Sequence, residues 1–153
     1  MPLPLAEQRP LSVAWLGYGG LLPFIGLTLL IALETDHRLL WSDALTAYGA
    51  VILSFVGALH WAFAMVLPDL ASRQRRNRFI WSTIPALLAW PAIMLSIVLA
   101  APLLIAGFGI HYLQDRRLAK IAALPSWYLP LRLQLTAIAT LSLGVAALLV
   151  AAC

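Results

Sequence analysis

Polar positions in this chain fall into a few short clusters, and between them run long stretches without a charge. Residues 11–33, 44–68, 79–114 and 133–153 are charge-free over 23, 25, 36 and 21 positions. About 20 predominantly apolar residues in a helix cross the hydrocarbon core of a bilayer, so each stretch predicts membrane-spanning helix. The longest would reach ~54 Å as one helix, nearly twice the thickness of that core, and has to fold back. Ala100-Ala101-Pro102 is the expected turn, because a proline disfavours helical geometry at the residue before it. The pattern therefore predicts an all-α polytopic membrane protein. It has one domain over 1–153, five transmembrane helices in one bundle, and spans at about 12–33, 44–67, 79–99, 102–114 and 131–151.

Helical phase then separates the faces of each span. At 100° per residue, Ile52, Phe55, Leu59, Phe63 and Val66 share one arc of the second span, and Gly49, Ala50, Ser54, Gly57, His60 and Ala64 another. Membrane helices approach closely through small residues, so the second face is the expected packing seam, with His60 on it. In the fourth span His111 follows Gly107 by one turn, and in the fifth Arg132, Thr136 and Thr140 recur every four residues. Pro85 and Pro91 interrupt the third span and free backbone carbonyls there. The cluster Gly17-Tyr18-Gly19-Gly20 lies inside the first span and reads as a packing notch rather than a phosphate loop.

Composition supports the membrane reading: 63% of the residues are apolar and 10% charged, far from the balance of a soluble domain, a disordered chain or a disulfide scaffold. The pI of 9.8 would suggest nucleic acid in a soluble protein. Here the arginines flank spans, so they serve as topology signals and no nucleic-acid partner is expected. Alternate loops divide them unevenly, with Arg9, Arg73, Arg75, Arg76, Arg78, Arg116, Arg117, Lys120 and Arg132 on one side and Arg38 on the other. That bias puts the N-terminus in the cytoplasm and the C-terminus outside. The N-terminal residues carry no basic cluster before a short apolar run, so no cleavable signal is expected. The sole cysteine, Cys153, has no partner for an intrachain disulfide.

Three segments carry a resemblance. They are Tyr48 to Trp61 (YGAVILSFVGALHW), Ser82 to Trp90 (STIPALLAW) and Leu124 to Arg132 (LPSWYLPLR), the last running on to Thr136. Together they resemble a family of small multi-span membrane proteins found in bacteria and including the mitochondrial transmembrane protein sixty-nine. Ala62 stands where that family often has a glycine after the His-Trp pair. The resemblance implies a multi-pass protein of the bacterial inner membrane, and brings neither an activity nor a cofactor.

Candidate chemistry is sparse. No catalytic motif, metal-ligand spacing or paired carboxylate is present, and all six acidic residues are expected in loops or at span ends. No catalytic residue, metal or cofactor is therefore expected, a haem held between His60 and His111 being the alternative. A small transporter is a further alternative, weakened by the lack of a mid-membrane acid. The leading expectation is a non-enzymatic subunit or assembly partner of a larger membrane complex, meeting a protein partner or another copy through small-residue seams. The second is a site for an amphipathic ligand, a quinone or phospholipid, in the cytoplasmic leaflet. His60, His111 and Arg132 would supply its polar contacts, and Trp61, Trp90 and Trp127 its apolar walls. His60 is expected to bond a carbonyl freed by Pro85 or Pro91, Ser82 or Thr136, since every acidic residue looks too distant.

Overall fold

The computed structural model describes residues 11–152, and among them the secondary structure is helical. Six helices follow in order: α1 (Leu11–Gly19), α2 (Leu22–Leu33), α3 (Arg38–Val66), α4 (Ser72–Ala92), α5 (Ile97–Ala119) and α6 (Tyr128–Ala151). Among the described residues four segments are long and apolar enough to cross a membrane: Leu11–Leu33, which contains α1 and α2, together with α3, α5 and α6. The protein is a polytopic all-α membrane protein. In α4 the first turns carry Arg73, Arg75, Arg76 and Arg78, so only its second half matches the apolar character of its neighbours. Arg9 and Cys153 lie outside the described residues.

The turn between α4 and α5 corrects the expected boundary. It occupies residues 93–96, and Ala100, Ala101 and Pro102 lie within α5. Ser96 takes an extended conformation (φ −59°, ψ 152°) and starts the new helix. Its carbonyl accepts the amides of Leu99 and Ala100 at 2.9 and 2.8 Å. Serine is a favoured residue at such starts. Pro102 is tolerated because it stands in the second turn and removes one backbone bond only.

The first span is broken at Gly19-Gly20-Leu21, where the amide of Leu21 reaches the carbonyl of Tyr18 at 3.0 Å in a tighter turn. Pro23 follows and has no amide to continue the ladder. Tyr48 on α3 donates its hydroxyl to the carbonyl of Gly20 at 2.7 Å, so the break is tied to the bundle. The glycine cluster is thus chiefly a helix break: a Cβ on Gly19 would meet nothing within 4 Å, although Gly17 faces Leu131 and Leu135 of α6.

The closest backbone approaches fall on α3 and α5. A Cβ on Gly57 would stand 2.8 Å from the ring of Pro85, and one on Gly107 would stand 2.6 Å from Leu53 Cδ2. The small face of α3 is the packing seam as its phase predicts: Gly49, Ala50, Gly57, His60 and Ala64 are buried, whereas Phe55 and Val66 are exposed. Around this seam Phe24, Ile31, Leu45, Leu53, Leu104 and Leu143 form the apolar core. A smaller cluster of Leu70, Leu118 and Ala122 caps the arginine-rich end, where α3 and α5 finish and α4 and α6 begin.

Candidate functional site

Just inside that capped end, α3, α5 and α6 converge on one carboxylate. Asp115 follows Ala101, Leu104, Phe108 and His111 along the buried stripe of α5, at three- and four-residue intervals. It is fully buried, while its neighbours Arg116 and Arg117 are exposed. His60 Nε2 lies 2.9 Å from Asp115 Oδ1, and the hydroxyl of Tyr128 donates to the same oxygen at 3.2 Å. Arg132 Nε donates to Oδ2 at 3.0 Å. A buried carboxylate ordinarily needs this kind of charge-assisted partnering.

Two expectations are corrected here. The partner of His60 is Asp115, and none of the Pro85 or Pro91 carbonyls, Ser82 or Thr136 takes that place. Nor is every acidic residue too distant from His60, since Asp115, near the end of α5, turns inward to meet it.

Proton positions follow from the partners. A carboxylate paired with arginine accepts only, so the ring proton of His60 sits on Nε2. Trp81 donates its indole N–H to His111 Nδ1 at 3.1 Å, which leaves the proton of His111 on Nε2, 3.8 Å from Asp115 Oδ1. Ligand atoms of His60, His111 and Asp115 lie within 4.8 Å of one another, close enough to consider a metal. In the structure His60 is hydrogen-bonded to Asp115 and His111 to Trp81, so a metal there would have to replace these bonds. The imidazole centroids stand 4.9 Å apart with planes inclined by 69°, and the same carboxylate binds one ring and faces the other. An iron between the rings would have to displace it.

A cavity of about 520 Å³ adjoins the cluster. Its walls are apolar, drawn from Leu16, Phe24, Phe55, Val56, Leu135 and Ala139 on α1, α2, α3 and α6. Leu16 and Phe55 are also exposed, which places a mouth between α1 and α3 on the lipid-facing surface. Trp127, Tyr128, Arg132 and Thr136, from the first turns of α6, supply its polar lining. Among these, Trp127 Nε1, Arg132 Nη2 and Thr136 Oγ1 are buried without a hydrogen-bond partner.

The predicted site residues therefore divide. His60, His111 and Arg132 come together around Asp115, and Trp127 joins Arg132 at the cavity. Trp61 packs edge-on to Phe79 at 4.8 Å on the outer surface, and Trp90 is exposed, both apart from the cluster. Sequence reasoning missed Asp115, Tyr128 and Trp81. The signal for Asp115 was its place on the α5 stripe, four residues beyond His111.

Comparison with known proteins agrees with this architecture. Residues 9–148 match a family described as "Protein of unknown function (DUF3429)". The chain is 40% identical over 139 residues to "Transmembrane protein 69" of Xenopus tropicalis, covering 90% of this chain and 54% of that protein. To the mouse (Mus musculus) protein of the same name it is 30% identical over 145 residues, covering 93% of this chain and 58% of that one. It thus spans a little over half the length of these curated relatives. No solved structure matches. With 140 of its residues under the family match, this chain belongs to the DUF3429 family of transmembrane proteins.

Proposed function

We propose that this protein binds an amphipathic molecule in the cavity between the first span, α3 and α6. Trp127, Arg132 and Thr136 hold its head group, and the apolar wall receives its tail. One observation carries the reading: three buried polar groups without partners, all on the first turns of α6 where it lines an otherwise apolar cavity. A buried donor without an acceptor costs about 1–3 kcal/mol. Three together are better explained by an absent acceptor than by three separate penalties. The volume also lies within the usual range of small-molecule sites. The arginine-rich end of the bundle corresponds to the cytoplasmic side by the charge bias, which assigns the site to the cytoplasmic leaflet. For a bacterial chain that membrane is the inner one.

The test is chemical. Protein purified in mild detergent is extracted with organic solvent, and the extract is compared with that of a Thr136→Val, Trp127→Phe double variant. The double variant removes two hydrogen-bonding groups, Thr136→Val with its shape kept and Trp127→Phe with an aromatic ring kept at the wall. Enrichment of one lipid or quinone class in the parent, lost in the variant, is the expected result. Equal extracts would end the proposal. A second protein recovered in fixed ratio, with no enriched small molecule, would favour the subunit or assembly reading.

A further inference from the structure

We infer that the cavity selects neutral, carbonyl-bearing apolar molecules over anionic lipids. The inference rests on the ligand-site reading above and concerns charge. Among the described residues Arg132 is the cation lining the cavity, and its Nε–H is already bound to Asp115 Oδ2 at 3.0 Å. Its Nη2 is the group left for a ligand. The guanidinium and the carboxylate together sum to zero. In His111 the Nδ1 accepts from Trp81. Tyr128 donates to the carboxylate and stays neutral in doing so. Arg78 lies outside the cavity lining and donates to the carbonyl and side chain of Gln114.

A phosphate or fatty-acid carboxylate docked on Arg132 Nη2 would therefore add a second anion to a buried pair that is already balanced. Burial of an unmatched charge is strongly unfavourable. A neutral carbonyl meets no such penalty and still receives a charge-assisted hydrogen bond from the guanidinium. The other groups agree. Arginine and indole nitrogens have no acceptor lone pair to offer, so the ligand head must itself accept, with the Thr136 hydroxyl able to adjust. A quinone ring and the ester carbonyls of an uncharged glyceride share this chemistry.

The experiment compares three probes with the intact protein in non-ionic detergent: a decyl-substituted benzoquinone, a short-chain diacylglycerol, and the phosphatidic acid of the same chains. Binding is read from the ligand-dependent shift in thermal unfolding. At least one neutral probe should bind tenfold or more tightly than phosphatidic acid, and which of the two does so identifies the source of the carbonyl. In Asp115→Asn the Arg132 charge is released, and the order should invert. Phosphatidic acid binding the parent protein within tenfold of the tighter neutral probe would overturn this inference while leaving the ligand site standing. No shift with any probe would overturn both. The ranking on the parent protein decides the matter even where Asp115→Asn fails to fold.

Discussion

At the scale of single residues, Asp115 has the strongest claim on the architecture, because His60, Tyr128 and Arg132 all spend a hydrogen bond on it. Removing the carboxylate leaves a guanidinium buried without its counter-charge, which costs about 3–5 kcal/mol. Asp115→Leu should destabilise the protein by that order in denaturant titrations. Adding Arg132→Met should recover much of the loss, since an apolar pair has no charge to strand. Failure of the second change to rescue the first would show that the pair is not the principal partnership. His60 was legible from phase alone, since it shares its face of α3 with Gly57 and Ala64. Asp115 was not. Its charge marks the end of an apolar run, and the adjoining arginines make that end look solvated. Only the three-four stripe through Leu104, Phe108 and His111, continuing to Leu118, reveals which way it turns.

Individual elements are held by contacts with little tolerance. Gly57 faces the ring of Pro85, which cannot rotate away, and the carbonyl of Ser82 at 3.2 Å. Gly107 faces the flexible end of Leu53. Both alanine substitutions overpack the seam, at a cost of about 1–3 kcal/mol. Thermal unfolding should place Gly57→Ala at the upper end and Gly107→Ala below it; the reverse order would mean that α4 yields more readily than a buried leucine. Arg75 of α4 reaches back to carbonyls at the end of α3, those of Ala64 and of Leu67 just after it. These carbonyls have no intrahelical partner of their own. Arg75→Ala should therefore speed amide exchange in the turn after Leu67 while leaving the middle of α3 unchanged. The helices themselves were largely readable from spacing between charges. The α4–α5 turn was not, because two prolines and a serine compete for it within a dozen residues and an apolar stretch gives no charge to arbitrate.

For the whole molecule, the arrangement around the first span matters most. The segment α1 packs chiefly on α6 and is separated from α2 by the glycine break, so it forms the movable wall of the cavity. Local opening is easiest where buried contacts are few. Amide exchange in residues 11–19 should thus be faster than in α3 or α5, and a ligand held by Arg132 and Thr136 should slow it selectively. Uniform protection across all helices would point to global stabilisation instead. The bundle as a whole was apparent from four charge-free stretches. The cavity was not, because its lining comes from residues far apart in sequence, such as Leu16, Phe55 and Leu135, none of them unusual alone.

The three-helix convergence on Asp115 also imposes an order on biogenesis. The chain is made from its N-terminus, so His60 is in place when α5 arrives, whereas Tyr128 and Arg132 belong to the helix that follows. Until α6 emerges, Asp115 has one of its three donors, and α5 carries a poorly matched acid into the apolar phase. The last helix therefore completes the insertion of the one before it. A nascent chain halted between α5 and α6 should leave α5 incompletely integrated and open to quality-control proteases.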